Sequence, residues 1–186
     1  MKQTRNPIRR VLCMILAIVM VMSMLPATVL AAEGTTLYLK PNSNWTQANA
    51  RFAMYCFGNG ETWVDMSDPD GDGLYGAAVP AGYPNVIFCR MNGSNTTNNW
   101  NNKWNQTGDL TVPSDEKDLF TVPNDSWNGA TTTWSTYTLT IAGTISPAGW
   151  SPENGEKLTQ ANGFKHTYTK VQAGGYEFKV TNGTRN

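Results

Sequence analysis

The sequence predicts an all-β fold: an immunoglobulin-like β-sandwich followed by a short second β module. Three observations lead there. Apolar and polar residues alternate in short runs, as in T-T-L-Y-L-K at 35–40. Turn residues recur about every ten positions, the spacing of a sandwich built from short strands. No stretch has the apolar spacing of an amphipathic helix.

Residues 1–31 read as an export signal. Lys2, Arg5, Arg9 and Arg10 form a charged start, Val11 to Leu25 is almost continuously apolar, and Val29-Leu30-Ala31 offers a cleavage site. The apolar run is short for a bilayer span. The expectation is a secreted or surface-displayed chain with no membrane segment after signal removal. The 14 basic residues then fall to 10 while 14 acidic ones remain, leaving a net charge of about −4. Such a chain lacks the basic face that nucleic acid requires.

The next boundaries fall at 32–124 for the sandwich, 125–135 for a small polar closing or linking segment, and 136–186 for the second module. After the strand at 35–40 comes a polar loop with Trp45, and then R-F-A-M-Y-C-F-G-N-G-E-T-W-V-D-M-S at 51–67. This stretch reads as a β-hairpin turning at Gly58-Asn59-Gly60, where positive φ is tolerated. Folding about Asn59 sets Phe52 opposite Met66, Met54 opposite Val64 and Cys56 opposite Thr62. It also sets Ala53 opposite Asp65, Tyr55 opposite Trp63 and Phe57 opposite Glu61. The two sets point to opposite sides of the sheet. The first is apolar and reads as core. The second mixes Arg51, Glu61 and Asp65 with aromatics and reads as solvent-facing. An exposed Tyr55–Trp63 platform is therefore expected, with Cβ atoms about 4.5–5.5 Å apart. Flat rings of this kind suit the C–H face of a sugar. The competing reading has both rings covered by another strand or loop.

The turn S-D-P-D-G-D-G at 67–73 places Asp68, Asp70, Asp72 and Gly73 in the first half of a calcium-loop pattern. Its twelfth position is Val79 and strands flank it, so a Gly/Asp turn is the favoured reading, with weak calcium binding as the other. No further cofactor is expected. Leu74 to Val79 is the next strand. Asn85 to Met91 follows, with Ile87, Cys89 and Met91 on one face. Cys56 and Cys89 both fall on expected inward faces. Either they pair, as an exported protein permits, or they are two buried free thiols.

The segment N-G-S-N-T-T-N-N-W-N-N-K-W-N-Q-T-G-D-L at 92–110 is rich in Asn and holds two tryptophans. Trp104 leads into a strand and reads as a pin. Trp100 is open to either role. Lys103 and Asn105 are suitable partners for sugar hydroxyls. Short strands at Leu110–Pro113 and Leu119–Pro123 complete the set. In the second module, 136–142 is a strand and Gly149 to Pro152 a turn. Phe164, His166 and Tyr168 share one strand face, and Tyr176, Phe178 and Val180 another. About fifty residues is marginal for an independent sandwich. Either the chain is a fragment or this module lacks its last strands.

Catalysis finds no support in the residue pattern. His166 is the sole histidine; on an apolar strand face it reads as a packed residue, and no nucleophile can be tied to it. The acids sit mainly in turns rather than as a pair flanking a cleft, and no Cys/His cluster points to zinc.

Several motifs together resemble a known family. L-Y-L-K-P, A-M-Y-C-F…T-W-V-D-M, D-G-D-G-L-Y, A-G-Y-P-N-V-I-F-C-R-M-N and W-N-Q-T-G-D-L-T-V-P make residues 35–123 similar to the family 26 starch-binding modules of bacterial amylases and multimodular surface proteins. The chain departs from that pattern at W-V-D-M, where a proline-glycine turn is expected, and in its long Asn/Trp loop. The resemblance implies a β-sandwich that binds starch or other α-1,4-glucans, with Tyr55 and Trp63 stacking on glucose. Residues 136–186 more faintly resemble the small glucan-binding-like modules of bacterial pullulanases, through I-A-G-T, Gly149-Trp150 and A-G-G-Y-E-F-K-V-T-N-G-T. The expected activity is non-catalytic glucan binding through Tyr55 and Trp63, with Trp100, Lys103 and Asn105 as secondary contacts. Such a chain is either free-standing or the N-terminal part of a multimodular amylolytic enzyme. The rival readings are a structural or adhesive surface module that binds a protein or another polysaccharide, and a small hydrolase.

Overall fold

The computed structural model describes residues 34–168 and 174–182. The expected export signal, residues 1–31, lies outside them. The strands are β1 (Thr36–Lys40), β2 (Arg51–Phe57), β3 (Glu61–Met66), β4 (Tyr75–Ala78), β5 (Asn85–Met91), β6 (Lys103–Gln106), β7 (Leu110–Thr111), β8 (Leu119–Thr121), β9 (Trp134–Ser135), β10 (Thr138–Gly143), β11 (Glu156–Thr159) and β12 (Phe178–Thr181). The helical pieces among the described residues are three-residue 3-10 turns, and none is long and apolar enough to cross a membrane. The chain is all-β and sandwich-like.

One sheet runs β4-β1-β8-β9, with β1 and β8 parallel and the other pairs antiparallel. A second runs β3-β2-β5-β6, with β7 also on β5. Leu37 and Leu39 from the first sheet meet Phe52, Met54, Val86 and Phe88 from the second in one buried cluster, which Phe120 and Val122 extend. Alternation along each strand makes this possible, since every second side chain points between the layers. Trp45, from the polar loop, is fully buried and stacks on Phe52 at 6.3 Å. Its indole N–H donates to the Trp127 carbonyl at 3.1 Å.

The segment at 125–135 closes the first sheet. Trp134 lies in β9 and packs on Phe120 at 5.2 Å and Phe88 at 6.0 Å. A third sheet, β11-β10-β12, follows. It joins the first through Asp118, which is buried: its carboxylate accepts from the Tyr137 backbone N–H at 2.5 Å and from Gln160 Nε2 at 3.2 Å. Gln160 also accepts from the Thr36 backbone N–H at 2.9 Å.

Two expectations for the C-terminal strands need correction. Residues 164–168 form no strand, because Gly163 ends a 3-10 turn and Phe164 takes φ 53°. His166 is exposed, with its ring 4.6 Å from Tyr168, rather than packed on an apolar strand face. The strand β11 was hidden in the mixed run Glu156–Thr159, where just Leu158 is buried.

Candidate functional site

The β2–β3 hairpin forms with all six expected pairs, Tyr55 opposite Trp63 among them. Gly58 and Gly60 hold φ 112° and 99° at the turn, where a side chain would be strained. The Asn59 amide donates to the Gly82 carbonyl at 2.6 Å and ties the hairpin tip to the next turn. The ring centroids of Tyr55 and Trp63 are 5.0 Å apart.

The exposure differs from expectation. Tyr55 is 8% exposed rather than open to solvent. The reason lies in β5, whose Ile87, Cys89 and Met91 share the outer side of the sheet with Ala53 and Tyr55 and form a second buried cluster. An apolar outer layer of that size must be covered, and the Asn-rich loop covers it. Trp100 sets its ring edge-on against Tyr55 at 4.7 Å and Trp63 at 4.9 Å. Its own remaining surface is 44% exposed. The surface aromatic is therefore Trp100, with Tyr55 and Trp63 as its support.

Polar side chains hold this cover down. Arg51 Nε donates to the Asn95 carbonyl at 2.6 Å and Nη2 to the Thr97 carbonyl at 3.0 Å. Its Nη1 reaches Asn98 Oδ1 at 2.5 Å and Asp65 at 3.2 Å, and Asn98 Nδ2 also donates to Asp65. Asn99 caps the 3-10 turn at Trp100–Asn102 by accepting from the Asn102 N–H. Arg51 and Asp65 read as solvent-facing charges in the sequence; in the fold they clamp a loop.

Lys103 stands beside Trp100, with Nζ 5.7 Å from the ring centre and 2.6 Å from Gln106 Oε1. Tyr55, Trp63, Trp100 and Lys103 thus come together, and Gln106 joins them. Asn105 does not. Its Oδ1 accepts from Arg90 Nη1 at 3.1 Å on the inner side of the sheet. The sequence hides this because the pairing slips between Arg90 and Met91, which upsets simple alternation along β6. Arg90 is buried and donates to the carbonyls of Trp45 and Gln47. Trp104 lies over its guanidinium at 4.6 Å and Trp127 at 5.7 Å, so Trp104 pins the loop by a cation–π contact.

Burial, followed by a hydrogen bond to Glu61 and that group's negative charge, pushes the Tyr55 hydroxyl up to about 12. It stays protonated at neutral pH. Cys56 and Cys89 are free and buried. They belong to opposite clusters, Cys56 to the inner one and Cys89 to the outer, so the expectation that both point inward fails for Cys89. The sheet separates the two thiols.

The Asp-rich turn brings one oxygen each of Asp68, Asp70 and Asp72 within 4.8 Å of one another. Asp68 accepts from the backbone N–H groups of Gly71, Asp72 and Gly73, which is turn chemistry.

The class that fold and site define is an all-β, sandwich-like chain with an exposed tryptophan seated on a buried tyrosine and a half-buried tryptophan. Set against protein-family models, curated proteins and solved structures, the chain matches none of them.

Proposed function

We propose that this chain is an exported, non-catalytic binder of starch or a related α-1,4-glucan, with a first module of the family 26 starch-binding kind. The observation that carries the reading is Trp100, half open to solvent, braced by Tyr55 and Trp63, with the Lys103–Gln106 pair at its side. A glucose ring presents C–H groups to an indole face and hydroxyls to polar groups at its edge. The Tyr55 and Trp63 rings and the Arg51 clamp hold Trp100 in place before ligand arrives, which limits the ordering cost of binding. Shallow sites of this type bind weakly one by one and gain when several act on one polymer.

The test is affinity electrophoresis of the whole chain in gels containing soluble starch. The parent is retarded. Trp100→Ala loses about tenfold in affinity, the effect of removing a central aromatic anchor. Trp63→Ala loses a similar amount because Trp100 has lost its brace. A folded parent that runs unretarded rules out the starch reading. Equal retardation of parent and both variants moves the site elsewhere.

A further inference from the structure

Away from Trp100, on the outer side of the first sheet, lies a cavity of about 350 Å³. Its walls include Tyr38, Tyr137 and Phe164, and its rim carries Asp70 and Asp72. Tyr38 and Tyr137 lie 4.3 Å apart and inclined by 41°, and Tyr137 and Phe164 lie 6.0 Å apart and inclined by 60°. Rings at such angles make a corner and not a flat shelf. Gly76 sits opposite Tyr38 across the β1–β4 pair, where a Cβ would approach the tyrosine ring to 3.2 Å. The glycine keeps the floor open.

The cavity has a one-sided charge. No Lys, Arg or His is among its lining residues. Asp68 is occupied by three backbone N–H groups, and Asp72 gives one oxygen to the Leu74 N–H. Asp70 has no hydrogen bond or ion pair among the described residues, and neither it nor Asp72 is in a salt bridge there. The field of these acids is felt inside: burial first, then Asp72 and Asp70 among its neighbours, push the Tyr137 hydroxyl up to about 12.

We propose that this cavity binds a small organic cation with an alkylammonium head, which the three rings surround and Asp70 and Asp72 neutralise. Ring faces attract a cation through their quadrupole, and quaternary ammonium groups suit aromatic corners because their methyl shell packs as well as it attracts. Two carboxylates with no competing base add a long-range pull. A neutral sugar gains little from that charge and finds its flat surface at Trp100 instead. The site is therefore independent of the glucan reading.

The test is calorimetric titration of the intact chain with choline, alongside its uncharged isostere 3,3-dimethyl-1-butanol. Choline binds, and the neutral compound binds about tenfold more weakly. Asp70→Asn and Asp72→Asn each weaken choline by about fivefold; Asp70 and Asp72 are exposed, so the melting temperature is unchanged. Tyr137→Leu also weakens choline. Trp100→Ala leaves choline binding intact while it reduces starch binding, so the two sites fail separately. The proposal is overturned by a folded chain that takes up no choline, by equal binding of the neutral isostere, or by Asn variants that bind choline as the parent does. Calcium that binds the Asp-rich turn while choline produces no heat overturns it as well and marks a metal site.

Discussion

The β1–β9 sandwich and the β10–β12 sheet are built from strands of similar character, yet they bury very different amounts of apolar surface. In the sandwich, thirteen residues from Leu37 to Val122 form one buried cluster, and a second cluster lies on the outer side of β2 and β5. In the third sheet the buried apolar side chains are Ile141, Ala142 and Leu158, while Phe178 is 59% exposed and Val180 48%. Alternation alone does not create a core. A strand buries its apolar side when a second layer is present to receive it. The sandwich has two facing sheets, and even its outer side has a loop with a tryptophan as cover. Among the described residues no comparable layer covers β12. Polar contacts through Asp118 and Gln160 hold the third sheet to β1, and such contacts contribute about 0.5–1.5 kcal/mol each. Local opening is expected to be easier there.

The largest effect comes from the core of the sandwich. Phe88→Ala removes a fully buried ring that packs on Phe120 and Trp134, and it costs about 3–5 kcal/mol. Leu158→Ala costs about 2–3 kcal/mol. Their amide-exchange patterns separate the two regions. Phe88→Ala lowers protection everywhere, whereas Leu158→Ala lowers it in β10 to β12 and leaves β2 and β5 protected. Uniform loss in both variants breaks the comparison and makes the chain one cooperative unit.

The two thiols sharpen the contrast between the layers of the sandwich itself. Burial raises Cys56 to about 11 and Cys89 to about 12, the latter in spite of the Lys103 charge nearby. Both therefore remain protonated and shielded at pH 8. Iodoacetamide labels neither Cys56 nor Cys89 in the native chain and both in denaturant, as followed by peptide mass mapping, which separates them from Cys13. Labelling of Cys89 alone under native conditions shows that the Asn-rich cover opens while the inner core stays shut.

The smallest effect is a pH dependence at the joint between the sheets. Burial raises the Asp118 carboxyl above its ordinary value of 3.8, against its hydrogen bonds with the Tyr137 N–H, its own N–H and Gln160. The folded chain therefore holds that proton more tightly than the unfolded one. The associated stabilisation is complete below the ordinary value and is lost as pH rises through the raised one. The melting temperature falls over that interval, and Asp118→Asn abolishes the fall. A parent and variant with parallel pH profiles place the titration elsewhere.

Much of the architecture was legible from local pattern. The hairpin register follows from the three-residue turn at Gly58-Asn59-Gly60, since a turn of known length leaves one pairing. The inner sides of β1 and β2 follow from period two, whereas β5 is apolar on both sides, so alternation did not show that Val86 and Phe88, rather than Ile87 and Cys89, face the core. The site was half legible. Tyr55 and Trp63 are neighbours because the hairpin makes them so. Their contact with Trp100 depends on a residue 37 positions beyond Trp63, and nothing near either ring announces it. Asn105 was misplaced for the opposite reason: a local slip in pairing turned its side chain from the outer side to the inner.

The sequence by itself determined the all-β class, the hairpin with its six pairs and the presence of aromatics on its outer side. Each is a matter of alternation and turn chemistry acting over a few residues. The tertiary structure alone decided which ring faces water, that the charges of Arg51 and Asp65 clamp a loop, and that Cys56 and Cys89 lie on opposite sides of a sheet. It also brought Tyr38, Tyr137 and Phe164 around one cavity. Those outcomes depend on packing between segments far apart in the chain, where the need to cover apolar surface overrides the preference of any single residue for solvent.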